Sequence, residues 1–234
     1  MTTTPIRPPR RDWRRGLAGL GALLADPHDT QAIFEILHAL DGPASYRGYL
    51  RLLGSLEGGR QAYRRAELAV RLADAGWLDA FAPGSYGAAY RDFVRARGFS
   101  DQALMERAAL AARGWDFAAE HPVFWYARRI TDLHDLWHVL TGYGSDLEGE
   151  SCLVAFSYGQ TRSLGFALIE LGALFALPGP HPWRARAAIL EAFRLGFVTR
   201  PLLAHDYEAL MALPLAEARQ VVELPAPRLY RPGT

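Results

Sequence analysis

Apolar positions recur along this chain at intervals of three and four, the period of amphipathic helices, and no stretch requires a strand. Thr30, Ala32, Ile33, Ile36, Leu37 and Leu40 predict a helix over residues 30–40, stopped by Asp41-Gly42-Pro43. Residues 44–54 and 60–75 read as two more, separated at Gly58-Gly59, and Tyr86, Tyr90, Phe93 and Val94 place another over 85–97. Further helices are expected over 100–112, from Ser100 toward Gly114, and over 121–141, where Pro122 suits a first turn. The longest apolar run extends from Leu153 to Leu177, broken by Gln160, Arg162 and Glu170. Those polar interruptions make it a buried core helix rather than a clean bilayer span. Pro178-Gly179-Pro180-His181-Pro182-Trp183 predicts a rigid turn, after which helix resumes over 184–211. Seven or more such segments without an Asn-Gly hairpin signal predict an all-α fold: a single helical domain over residues 13–234 behind a flexible basic arm, residues 1–12.

The arm and first helix carry Arg7, Arg10, Arg11, Arg14 and Arg15 ahead of the apolar run Gly16–Ala25. This superficially resembles an export signal, but the run passes into Asp26-Pro27-His28 without a small-residue cleavage site, so a folded helix over 13–25 is expected. Trp13 and leucines beside arginines also suit that helix to an anionic membrane surface. Across the whole chain, 26 basic against 25 acidic residues leave a net charge of +1, with no general attraction to nucleic acid. A single cysteine, Cys152, excludes an internal disulfide framework, fits a reducing compartment and reads as a small buried hydrophobe.

The candidate chemistry sits in His134-Asp135-Leu136-Trp137-His138, followed after eleven residues by Glu150. On a helix His134 and His138 share a face one turn apart, as two ligands of one ion require. Seven histidines make one such pair unsurprising, and a helical pair alone is more often surface or a satisfied core group. The sequel strengthens the metal reading. Thr141-Gly142-Tyr143-Gly144-Ser145 predicts a turn with left-handed glycines, and Ser145 with Glu148 reads as a capping box for a second helix that brings Glu150 back toward the histidines. Asp135 points about 100° away around the helix and is either a ligand or a partner of one. A zinc-protease reading needs Glu where Asp135 stands. A His-Asp phosphohydrolase using His121 and Asp206 leaves His138 and Glu150 unexplained, and no nucleophile elbow, phosphate loop or dinucleotide fingerprint is present.

These residues resemble the coenzyme Q (ubiquinone) biosynthesis protein 4 family, whose signature is HDxxH, eleven residues, then Glu. Gly84-Ser85-Tyr86-Gly87-Ala88-Ala89-Tyr90 is similar to the family's Gly-Ser-aliphatic-Gly motif, with Tyr86 in place of the usual Leu. Arg129, Arg194-Leu195-Gly196, Leu213-Pro214-Leu215 and Ala218-Arg219 extend the likeness over about residues 17–225. The resemblance implies a divalent ion, zinc by family habit or iron if the site is catalytic, held by His134, Asp135, His138 and Glu150. It also implies an apolar channel for a polyprenyl tail, for which Gly159, Gly165 and Gly172 would leave room, although they suit close helix crossing equally well. Two roles stand open: oxidative decarboxylation at ring C1 of a polyprenylated hydroxybenzoate, or a scaffold that presents such precursors to partner enzymes around a structural zinc. Under the first, Arg129 would pair with the ring carboxylate and Asp132 would position Arg129 or a water. Expected partners are the prenylated precursor, other enzymes of the pathway and a second copy of the chain. The expected location is cytoplasmic, peripheral to the inner face of a bacterial inner membrane.

Overall fold

The computed structural model describes residues 10–26, 29–98, 122–176 and 182–232, so the helix expected over 100–112 and the residues His121 and His181 lie outside the described residues. Among the described residues the chain is all-helical, and its one β feature is an isolated bridge between Ser85 and Pro214. In chain order the helices are α1 (Trp13–Ala25), α2 (Thr30–Leu40), α3 (Gly42–Leu53), α4 (Leu56–Arg64), α5 (Leu68–Leu72), α6 (Ala75–Asp79) and α7 (Tyr86–Ala96). Then follow α8 (Pro122–Thr141), α9 (Leu147–Thr161), α10 (Leu164–Ala176), α11 (Pro182–Val198), a 3-10 turn (Leu202–Ala204), α12 (Tyr207–Ala212) and α13 (Leu215–Val221).

Three expected helices are broken where the pattern alone predicts continuity. The segment 60–75 divides because Arg65 takes a left-handed conformation at φ 47° and ends α4. The apolar run after Glu150 divides at Arg162, φ 62°. There the Thr161 hydroxyl donates to the Ser157 carbonyl at 2.8 Å and accepts from the Ser163 amide at 3.2 Å, while the Ser163 hydroxyl accepts from the Phe166 amide at 3.2 Å, so two short polar side chains close one helix and open the next. The segment 184–211 ends at Val198 and continues as the 3-10 turn and α12. A fixed Pro201 and the cap made by Asp206, which accepts from the Ala209 amide at 3.3 Å, account for that break.

Helix α8 runs through the main core, where Leu133, Leu136, Trp137 and Leu140 are fully buried. Each such side chain contributes roughly 1.5–3 kcal/mol by leaving water. Polar ties fix its rotation. The Trp137 indole donates to the Tyr207 hydroxyl at 2.8 Å, and Tyr86 donates to the Leu136 carbonyl at 2.6 Å. Arg219 donates to the carbonyls of Leu140 and Val139 at 2.7 and 3.2 Å, satisfying acceptors that the end of a helix leaves open. Helices α9 and α11 cross with backbones in contact, since a Cβ built on Gly196 would lie 2.2 Å from the Phe156 carbonyl oxygen. A smaller cluster formed by Ile36, Ala39, Leu40 and Ile169 holds α2 against α10, with Leu20 and Leu23 of α1 packed on it. Asp41 ties the same region together, its carboxylate accepting from the Ser163 hydroxyl and from the Gly165 amide at 3.0 Å. No described helix is long and apolar enough to cross a membrane.

Candidate metal centre and the cavity beside it

The turn that joins α8 to α9 decides where Glu150 arrives. Gly142 adopts φ 83°, and its amide donates to the His138 carbonyl at 2.8 Å, which ends α8 as the glycine predicts. Gly144 serves differently from the left-handed role expected of it: a Cβ there would lie 2.5 Å from the Tyr230 hydroxyl oxygen. The Gly144 amide donates to that hydroxyl at 2.9 Å, and Tyr230 donates in turn to Asp146 at 2.6 Å. The cap of α9 is Asp146, which accepts from the Gly149 amide at 3.0 Å, rather than Ser145. A carboxylate held by a tyrosine 84 residues away completes a cap that local sequence pattern cannot reveal. Glu150 therefore stands in the first turn of α9, one turn earlier than spacing suggests.

One oxygen of Glu150, Oε2, lies 3.4 Å from His134 Nε2 and 3.2 Å from His138 Nε2. One ligand atom from each of the three residues falls within 4.8 Å of the others. Two ligands bound at about 2.1 Å with a tetrahedral angle are about 3.4 Å apart, so the two separations of Glu150 from the histidines match the edges of a coordination polyhedron. The tautomer of His138 supports the same reading. Its Nδ1 lies 3.0 Å from the Tyr143 carbonyl, which can only accept, so Nδ1 carries a hydrogen and Nε2 is the nitrogen turned toward the carboxylate, where its lone pair is available to a metal ion. Nε2 is buried and makes no aligned hydrogen bond. A lone pair facing an anionic oxygen is satisfied by a cation between them, and the donor set suits a divalent ion. Burial alone pushes the Glu150 carboxyl up, whereas positive charge at the two imidazoles, or a cation between them and the carboxylate, holds it well below the usual carboxylate range.

Asp135 does not join this cluster. It is buried and faces Arg97, with Oδ1 to Nη1 at 3.5 Å, while Arg97 Nη2 donates to Glu150 Oε1 at 3.2 Å. Of the four residues implied as ligands, the structure gathers three and makes the fourth a partner of the guanidinium beside them. Helix α7 delivers Arg97 just past its end, and it also stacks Phe93 on the His138 ring at 5.4 Å. The Gly84–Tyr90 motif explains why α7 lies there. Ser85 caps the helix, Gly87 leaves room for the Phe81 ring, and the Tyr86 hydroxyl reaches α8 between the two histidines.

Arg129 and Asp132 are not brought to the metal cluster. Arg129 is buried on another face of α8, donating to the Leu203 and His205 carbonyls at 3.0 and 2.6 Å and stacking on Trp125 and Tyr207. Asp132 sits among Glu67, Arg128 and Arg129, and burial with the Glu67 charge pushes its carboxyl up to about 7. Asp206 pairs with Arg64 at 3.0 Å at the surface, away from His134 and Asp135. Cys152 is buried and unbridged, as its position on α9 predicts, and burial pushes its thiol up.

A cavity of about 390 Å³ opens beside the cluster, large enough for a small amphiphile. His134, Glu150 and Arg97 line one part of it, and Leu20, Leu23, Ile33, Leu37, Phe166 and Ile169 another. Gly172 is on its wall, whereas Gly159 is spent on the α9–α11 crossing, where a Cβ would meet the Gly196 carbonyl carbon at 2.5 Å. Glu170 also lines the cavity, with neither carboxyl oxygen hydrogen-bonded, and burial pushes its pKa up to about 8 from 4.5. Between those values the folded chain holds a proton that the unfolded chain releases, so stability falls as pH rises through the window. Glu170→Gln removes this dependence. Its stability relative to wild type should grow by on the order of 4 kcal/mol between pH 5 and 8 in urea unfolding, and parallel curves would refute the assignment.

Comparison with known proteins gives two positive results. The family model for coenzyme Q (ubiquinone) biosynthesis protein Coq4 matches residues 16–227. The fold is similar to the crystal structure of a protein from Nostoc punctiforme PCC 73102 that carries a provisional ubiquinone-biosynthesis name. The TM-score is 0.68 at 19% identity, covering 91% of this chain and 98% of the other. No curated protein matches in sequence.

Proposed function

The chain belongs to the coenzyme Q (ubiquinone) biosynthesis protein Coq4 family and has a role in ubiquinone biosynthesis, and from that premise we propose that it catalyses the oxidative decarboxylation of a polyprenylated hydroxybenzoate. The observation that carries this reading is the buried Nε2 of His138, which has no aligned hydrogen bond and faces the Glu150 carboxylate beside a cavity with a leucine- and isoleucine-lined part. Two imidazoles and one carboxylate are the donor set of non-haem iron oxygenases, and three protein ligands leave an ion open positions. A redox-active ion bound there would supply electron transfer and a Lewis-acid contact to the acidic head of the substrate. The chain's own part is to bind and orient. His134, His138 and Glu150 hold the ion, Phe93 packs against the His138 ring, and the leucine-lined part of the cavity takes the start of the tail and excludes water.

In the proposed reaction the bond from the ring to its carboxylate breaks and a bond from the ring to a hydroxyl oxygen forms. With dioxygen as oxidant, the 4-hydroxybenzoic acid, dioxygen and one water give the 1,4-hydroquinone, carbon dioxide and hydrogen peroxide. The rival scaffold reading draws on the same cavity and a structural zinc. Purified protein loaded with iron(II) or with zinc, given a 3-alkyl-4-hydroxybenzoate in air, separates the two. The 2-alkylhydroquinone and carbon dioxide in equal amounts from the iron form, and neither without dioxygen, are expected. Ligand binding without product in either form would favour the scaffold.

A further inference from the structure

Resting on the function proposed above, we propose that Glu170 and Ser157 form a second polar subsite of the cavity, which takes the ring hydroxyl of the aromatic acid and thereby selects it over acids that lack one. Both side chains line the cavity. Neither oxygen of the Glu170 carboxyl has a hydrogen-bond partner among the described residues, and nor does the Ser157 hydroxyl. The two residues are only 8% and 1% exposed, so bulk water does not serve them. Burying a polar group unpaired is costly, and on a cavity wall a ligand can supply the missing partner.

Position selects the ligand atom. Glu150, Val154 and Ser157 line the cavity at steps of four and three along α9, so Ser157 stands two turns beyond the metal ligand on the same face, about 10 Å along the helix. A carboxylate on an ion, its ring and the para oxygen together span about 8 Å, and a hydrogen bond of about 2.8 Å completes the reach. At that depth the polar atom of a 4-hydroxybenzoate is its hydroxyl, on the carbon next to the one that bears the tail. The other described residues of α10 on the cavity wall, Phe166, Ile169, Gly172 and Ala173, are apolar, so Glu170 offers one polar contact within the part suited to the tail. Burial raises its pKa to about 8, which leaves the carboxyl mostly neutral at pH 7. A neutral carboxyl both donates to and accepts from a phenol, whereas a carboxylate only accepts, and the Ser157 hydroxyl adds a second partner. An acid without the hydroxyl leaves both groups unpaired, which is how a site built around a hydroxyl rejects the analogue lacking it.

Binding to zinc-loaded protein tests this without turnover. Wild type, Glu170→Gln, Glu170→Leu and Ser157→Ala are titrated with a 3-alkyl-4-hydroxybenzoate and with the 3-alkylbenzoate that lacks the hydroxyl. Wild type should bind the hydroxy acid at least about tenfold more tightly. Glu170→Gln, which still donates and accepts, should keep most of that preference, Ser157→Ala part of it and Glu170→Leu none. Removing a buried unpaired carboxyl should leave Glu170→Leu folded and still able to bind the 3-alkylbenzoate. Equal affinities in wild type, or a preference that survives in Glu170→Leu or is undiminished in Ser157→Ala, would overturn the proposal. Loss of 3-alkylbenzoate binding in Glu170→Leu would also overturn it, by making Glu170 a brace of the wall. If the preference behaves as expected but the iron form yields no hydroquinone, the decarboxylase reading fails and the subsite stands. Hydroquinone from a protein without the preference sinks the subsite alone.

Discussion

Glu150→Gln should lower affinity for the divalent ion by at least about 100-fold and turnover by a comparable factor, while leaving the fold nearly intact. The two effects separate because of where Glu150 stands. Its side chain is one-third exposed in the first turn of α9, and that helix is capped independently by Asp146 and Tyr230. The amide has the same shape but no charge, and it can present a donor to two imidazoles that need a cation. His138→Ala is a less clean variant. It removes a ligand, but it also empties a buried site and abandons the hydrogen bond to the Tyr143 carbonyl, so metal loss would be mixed with a stability cost of roughly 2–3 kcal/mol. Elemental analysis after anaerobic purification, with a thermal melt on the same sample, measures both quantities. A Glu150→Gln protein with stoichiometric metal and full turnover would sink both the ligand assignment and the mechanism.

Gly196→Val should cost more than about 3 kcal/mol. The atom that a Cβ would meet, 2.2 Å away, is the Phe156 carbonyl oxygen, and backbone cannot rotate aside as a side chain can. The helices must part, and with them goes the pair of hydrogen bonds by which Gln160 reads the Gly196 carbonyl at 2.8 Å and the Leu202 amide at 2.8 Å. Gly21→Ala is the control. Nothing lies within 4 Å of its added methyl, and on an exposed face of α1 it should gain about 0.5–1 kcal/mol from helix propensity. Urea unfolding of the two variants decides the matter, and a Gly196→Val protein within 0.5 kcal/mol of wild type would refute the close crossing.

What the sequence made legible was what depends on near neighbours. The periodicity of α2, the Pro122 start of α8, the shared face of His134 and His138 and the stop at Gly142 are all set within a turn or two, and all are found. The breaks at Arg65 and Arg162 were hidden because neither is a glycine, so their left-handed conformations are imposed by surrounding structure rather than announced by residue type. Arg97 was hidden for a different reason. Its contacts with Asp135 and Glu150 span 38 and 53 residues, and on α7 it looks like any terminal arginine. The only hint was its place four residues after Phe93, on the face that the buried Tyr86 and Tyr90 turn inward. Arg129 misled because a basic residue near a metal motif invites a role with anions, whereas two backbone carbonyls of the 3-10 turn take its donors.

The hydroxyl of Tyr230 gives the metal turn a dependence on time as well as on space. It bridges the Gly144 amide and the Asp146 carboxylate, and it lies 86 residues downstream of the glycine it grips. While the chain is still being synthesised, α8 and α9 can both be complete and their histidines and glutamate exposed to whatever ions the cell offers. The bridge between them cannot form until residue 230 has been made, so this contact of the turn is among the last that synthesis permits.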